Sequence, residues 1–147
     1  MPGQQPGQEP RASLRVRLLS MSYEALLLVA IELIATALFV AVVGDSRMQP
    51  WRALLQVYLV AVAGIYFVWS WTDGRRTLPM RTWRLRLVNR AGEPPNVRSA
   101  LVRFLVALLA LPLGAAAAWW ALIDREGLFL HDRVAGTRLV REPARSA

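Results

Sequence analysis

Carboxylates set inside apolar runs are the residues of this chain whose placement calls for chemistry. Glu32 is the one charge in the nineteen-residue run from Ala25 to Val43. Taking a carboxylate into hydrocarbon costs several kcal/mol unless it is paired or protonated. Glu24 stands at the edge of that run, and Arg17 precedes it by seven residues, two helical turns, so the two share a helix face. Glu32 lies eight residues past Glu24, about 80° round the helix and about 12 Å deeper. Carboxylates at stepped depths suit a proton or cation relay, whose groups trade protons near neutral pH. Structural roles fit the same residues: a protonated Glu32 bonded to a neighbouring helix near Gln56 or Tyr58, and an interfacial Glu24 paired with Arg17.

His131-Asp132 is the one acid/base pair outside the runs. Adjacent residues on a loop do not make a dyad by themselves, and a structural turn is the favoured reading. His131 is the sole histidine and cysteine is absent, which excludes disulfides, thiolate metal sites and Cys nucleophiles. The sequence holds no P-loop, GxGxxG, nucleophile elbow or metal-ligand cluster. An enzyme would have to rest on His131 and Asp132, so no catalytic residue, cofactor or metal is assigned.

The elements that must position these groups follow from the hydropathy pattern. The chain has 147 residues, 55% of them apolar and 19% charged, and a mean hydropathy of +0.33. That is too apolar for a disordered chain and argues against an ordinary soluble enzyme. Residues 1–14 open with three Pro, two Gly and no large apolar side chain after Met1, and are expected to form a disordered tail. The first run spans roughly the hydrocarbon thickness, and its length and embedded Glu32 argue against a signal peptide. Residues 44–50 form a short polar turn. The second run, Ala53 to Trp71, carries no charge and has Trp51, Trp69 and Trp71 at its ends, the positions indole rings take at membrane interfaces. Two runs joined this closely make an antiparallel helical hairpin. Between Thr82 and Val88, Trp83, Leu85 and Leu87 alternate with Arg84 and Arg86, the period of a half-buried strand; Asn89 to Gly92 is the turn that ends it, and Glu93 to Asn96 leads into a helix. The third run, Phe104 to Ile123, holds Pro112 and Gly114 at its middle, a kink that a membrane bundle tolerates. Gly114 and Ala115–Ala118 give it a small-residue face for close helix packing. Thr137 to Val140 is a candidate second strand.

All eighteen basic residues are arginine, and the formal net charge is +8. They flank the apolar runs, as in a membrane protein, so nucleic acid is not the expected partner. Three arginines precede the first run, two lie between the first and second, eight span Arg75 to Arg103, and five follow the third. Three crossings put eleven on one side and seven on the other, with the N-terminus cytoplasmic. A third run that turns back at Pro112-Leu113-Gly114 would instead return the C-terminus to the cytoplasm. Pairing of Arg84–Val88 with Thr137–Val140 would distinguish the two. Arg84 and Arg86 are candidates for contact with anionic lipid headgroups, where each arginine near the surface contributes about 1 kcal/mol.

Three stretches in order resemble the RDD family of bacterial membrane proteins. Arg17 to Leu28 (RLLSMSYEALLL) resembles its opening helix, Gly74 to Val88 (GRRTLPMRTWRLRLV) its middle loop, and His131 to Val140 (HDRVAGTRLV) its closing HDxxAGTxVV stretch. Together they cover roughly residues 15–141. The family is named for an arginine and two aspartates. The resemblance implies that Arg17 is that arginine, that Glu24 stands where the first helix usually has Asp, and that Asp132 belongs to the closing acidic motif. Pro79 departs from the Gly or Ala that is frequent there. Transport, including cation/proton antiport, has been suggested for some members.

The expected fold is therefore an all-α membrane protein with three transmembrane helices, at about 24–43, 52–71 and 103–123, the third kinked or re-entrant. A small strand-containing cytoplasmic loop and a C-terminal tail over 142–147 complete it. The expected function is transport-related cation/proton exchange in the bacterial inner membrane, carried by Arg17, Glu24, Glu32 and Asp132 in a homo-oligomer, since three helices enclose no pathway. The alternative is a non-catalytic accessory or scaffold subunit that binds a partner membrane protein.

Overall fold

The computed structural model describes residues 13–44, 50–110 and 128–142. Helix α1 spans Leu14–Val43 and α2 spans Trp51–Trp71. Both are long and apolar enough to cross a membrane. Leu26, Leu33, Ile34, Val42, Val57 and Ile65 stand exposed on them, an apolar surface larger than a water-soluble monomer tolerates. Gly44 ends α1 with a positive φ of 84° and donates its N–H to Val40 O at 2.8 Å, a conformation that glycine adopts without a Cβ penalty. The two helices run antiparallel, as expected of the hairpin: Tyr66 of α2 reaches Glu24 of α1, and Phe39 stacks near Tyr58 at 5.5 Å between centroids. Thirty residues make α1 about 45 Å long, so its first turns extend beyond a hydrocarbon core of about 30 Å.

After α2 the chain turns through Asp73 and Gly74, both at positive φ. Helix α3, Leu78–Thr82, starts at Thr77, whose Oγ1 accepts from the Met80 N–H at 3.4 Å. Pro79 occupies the first turn, where its missing N–H has no intrahelical partner to lose. Strand β1 covers Leu85–Asn89. The strand expected from Thr82 is thus shorter at its start: Thr82 belongs to α3, and Arg84 takes a left-handed φ of 53° that ends the alternation. Leu85 and Leu87 are buried, as their spacing predicts. The Gly92 N–H closes the expected turn on Asn89 O at 3.1 Å. Asn96 then caps α4, Val97–Ala110, by accepting the Ser99 N–H at 2.8 Å. Pro112, Gly114, Ala115–Ala118, Trp119 and Trp120 lie outside the described residues.

Helix α5 covers Leu130–Ala135, so His131 and Asp132 sit on a helix and not in the loop turn expected for them. Gly136 closes α5 in the left-handed region, and β2 follows as Thr137–Arg141. β1 and β2 pair antiparallel, with Leu87 opposite Leu139 and Asn89 opposite Thr137. Among the described residues α1 and α2 are the helices long and apolar enough to cross a membrane; of the third expected span, 103–123, residues 111–123 lie outside the described residues. Arg76 strengthens the return by donating both terminal nitrogens to Glu142, at 2.9 and 2.5 Å.

The core lies at this end of the hairpin. Trp71, Met80, Leu85, Leu87, Ala100 and Phe104 form one buried cluster. A Cβ at Gly64 would lie 3.1 Å from Phe104 Cε1, so glycine lets α4 seat its aromatic ring on α2. Reporter fusions check the arrangement: fusions after Arg90 and after Glu142 report the same side, and a fusion after Gly44 reports the other. Opposite sides for Arg90 and Glu142 would overturn the paired-strand topology.

Candidate functional site

The site is built where the start of α1, the start of α4 and α5 converge. Asp132 is 0% exposed, and both its oxygens are engaged by guanidinium groups. Arg17 of α1 donates from Nη2 to Oδ2 at 3.0 Å. Arg103 of α4 pairs with Oδ1 and also donates to Thr137 Oγ1 at 3.1 Å. Each guanidinium in turn lies over an aromatic face, Arg17 over Phe129 at 4.3 Å and Arg103 over Trp71 at 4.7 Å. Such cation–π contacts strengthen when the cation is desolvated. A buried carboxylate held by charge-assisted bonds is strongly directional, and this one fixes three elements against one another.

Glu24 lies two turns up α1 and does not pair with Arg17 as the spacing suggested. Its Oε1 accepts from Tyr66 OH at 3.0 Å and its Oε2 from Thr77 Oγ1 at 2.7 Å. The physical reason is competition: Asp132 sits at the level of Arg17 and takes it. Glu32 is half-buried farther along α1, and its Oε2 is buried with no hydrogen-bond partner among the described residues; neither Gln56 nor Tyr58 is found bonded to it. Arg84 is exposed at the bend before β1, and Arg86 is half-buried on β1 opposite Val140. The structure therefore brings Arg17, Glu24 and Asp132 to one end of the hairpin and leaves Glu32 alone.

Sequence reasoning missed Arg103, Tyr66, Thr77 and Thr137. Arg103 was read as one more flanking charge. Its signal was position: a lone arginine directly before a twenty-residue apolar run either faces water or needs a buried anion.

His131 stacks on Phe129, with centroids 5.6 Å apart and 9° between planes. Burial, and then repulsion from Arg103 and Arg17, pushes its imidazole down to about 2. A general base works best with a pKa near the operating pH, so His131 is poorly set for acid/base catalysis. Among the described residues no group of three His, Cys, Asp or Glu side chains is placed to hold a metal ion.

A family model matches this chain over residues 11–136, which include Arg17, Glu24, Arg103 and Asp132, with Thr137 just beyond. The chain belongs to the RDD family. No curated protein and no solved structure matches it. In this RDD protein, Arg17 and Asp132, which the family's name suggested from sequence, form a direct buried ion pair. Glu24, in place of an aspartate, serves a neighbouring hydroxyl pair.

Two outcomes are expected. Asp132→Ala strands two buried guanidiniums and should cost about 3–5 kcal/mol, whereas Arg76→Ala, removing a partly exposed pair, should cost about 1 kcal/mol or less; unfolding in detergent checks the ranking. For His131, the unfolded state binds a proton below about pH 6.5 that the folded state does not. Stability is therefore fully present above that pH and falls as pH drops toward the lowered folded value. His131→Asn should lose less melting temperature than the parent between pH 7 and pH 5.

Proposed function

We propose that this RDD protein is a multi-pass protein of the bacterial inner membrane that exchanges a cation for a proton as a homo-oligomer. The reading is carried by Glu32, whose buried Oε2 has no hydrogen-bond partner among the described residues although it lies midway along an apolar helix. A carboxylate there is satisfied by a proton, a cation or a polar group of another subunit. Glu24 supports the same reading from the next level: two hydroxyl donors, on α2 and ahead of α3, hold a carboxylate ready to trade a proton for a cation. Arg17 and Asp132 close that end. The two long apolar helices among the described residues enclose no pathway, so a second copy supplies the missing wall.

The orientation follows from charge. With β2 beside β1, the start of α1, the middle loop and the C-terminal strand share a side. Among the described residues that side holds every arginine except Arg52. Arginine bias of this strength makes it the cytoplasmic side.

The alternative is a non-catalytic accessory or scaffold subunit. It is favoured by the structural use of Asp132, which clasps three elements together. Reconstituted into vesicles with an imposed proton gradient, the parent should move a monovalent cation, and Glu32→Ala and Glu24→Gln should each abolish the flux. Unchanged flux in both variants sinks the exchange reading. Loss of oligomer or of a co-purifying membrane protein, with no flux in the parent, favours the accessory subunit.

A further inference from the structure

Between α2 and β1 the chain lays a short segment against α1 at the edge of its apolar run. Thr77, which caps α3, donates from Oγ1 to Glu24 Oε2 at 2.7 Å. Trp83, which closes α3, packs edge-on against Tyr23, with 5.8 Å between centroids and 72° between planes. Tyr23 stands two residues before Ala25, where the run begins, so both contacts lie within about 3 Å of its edge. That is the headgroup layer, which occupies roughly 5–7 Å on each side of the hydrocarbon and is where aromatic rings with a polar end settle. Leu78 and Arg81 are three residues apart on α3 and share a face, and both are exposed. Arg84, also exposed, follows at the left-handed bend. Neighbouring arginines are already used: Arg75 pairs with Asp73 and lies over Trp69, Arg76 pairs with Glu142, and Arg86 has a partner of its own. Among the described residues the guanidiniums of Arg81 and Arg84 make no ion pair or hydrogen bond.

We propose that Arg81 and Arg84, beside Leu78 and the Tyr23–Trp83 pair, bind the headgroup of an anionic phospholipid. Arg81 thus takes the place that alternation gave to Arg86. A guanidinium presents forked N–H donors that match phosphate geometry. Leu78 and the two rings give the lipid's glycerol and upper acyl atoms an apolar surface, from which a soluble phosphate would gain nothing. The backbone at Arg84, with φ of 53°, favours glycine. Local folding therefore does not account for an arginine there, whereas headgroup contact does. The site rests on the reading of α1 and α2 as membrane-spanning and is independent of the exchange activity proposed above.

The test is thermal unfolding of the full chain in neutral detergent at constant ionic strength. Phosphatidylglycerol, phosphatidylcholine and inorganic phosphate are titrated separately. Phosphatidylglycerol should raise the melting temperature at lower concentration than phosphatidylcholine, and inorganic phosphate should not raise it. Arg81→Gln and Arg84→Gln should each raise the half-saturating phosphatidylglycerol concentration about fivefold, as expected for an arginine at an anionic surface. The double variant should raise it more than tenfold, and Arg90→Gln, beyond the far end of β1, should leave it unchanged. Arg84→Gly separates binding from folding. It relieves the left-handed φ, so its melting temperature without lipid should equal or exceed the parent's, while its phosphatidylglycerol response weakens as in Arg84→Gln. Equal stabilisation by the two lipids overturns the proposal, as does equal protection by inorganic phosphate. So does a phosphatidylglycerol response that Arg81→Gln and Arg84→Gln leave unaltered. Failure of the parent to insert into phosphatidylcholine vesicles would overturn the membrane reading, and the site with it.

Discussion

Everything at the closed end of this molecule depends on one buried carboxylate. Asp132 has no access to solvent, so its charge is tolerable only because Arg17 and Arg103 meet both its oxygens. The converse also holds: neither guanidinium could lie this deep without an anion. Because the three groups come from α1, α4 and α5, the electrostatic requirement is also a folding requirement. The C-terminal segment has to come back to the start of α1, and the chain between β1 and β2 has to make that return. The sheet then adds backbone bonds and the Leu87–Leu139 contact, and the Arg76–Glu142 fork fastens its far edge.

This division explains why the protein has two kinds of packing. Along the hairpin, α1 and α2 leave large apolar side chains such as Leu33, Val42 and Ile65 exposed. Lipid is as apolar as they are, so burying them against protein would contribute little. At the closed end the small sheet and short helices meet the more polar interface, and there a buried cluster around Trp71, Leu85 and Phe104 forms. Two of its aromatic rings are shared between the systems. Trp71 lies in the cluster and under Arg103, while Phe129, also buried, lies under Arg17. Apolar burial and the ion pairs thus strengthen each other, since removing water raises the strength of the charge contacts.

Much of this was legible in the residues. Apolar runs of nineteen residues gave α1 and α2, each long and apolar enough to cross a membrane, and their antiparallel hairpin. Period-two alternation gave Leu85 and Leu87 as buried strand positions, and the candidate strand at Thr137 to Val140 is β2. Three things were not legible. The start of β1 was misplaced because Thr77 and Pro79 nucleate a short helix whose capping is local and leaves no hydropathy signal. The partner of Arg17 was misplaced because spacing along one helix finds Glu24, whereas Asp132 lies 115 residues away and arrives only through the fold. Arg103 was absorbed into a charge count, which treats every arginine at the end of an apolar run as equivalent. Counting charge locates the side of the membrane; it does not reveal which charge is buried.

The glutamate at position 24 also makes sense in these terms. With Arg17 committed to Asp132, the acid two turns along has no cation of its own to meet on α1. Its bonds run instead to α2 through Tyr66 and to the residue that caps α3 through Thr77. The longer side chain carries the carboxylate away from its own helix toward those two hydroxyls. Hydroxyl partners differ from guanidinium partners in one respect that matters here: a hydroxyl can donate to a carboxylate or accept from a carboxylic acid. Asp132 is held by two guanidiniums, which can only donate. Glu24, held by two rotatable hydroxyls, can change state without losing its partners. Asp132 on α5 meets α1 at Arg17, on the helix face that carries Glu24 two turns farther along.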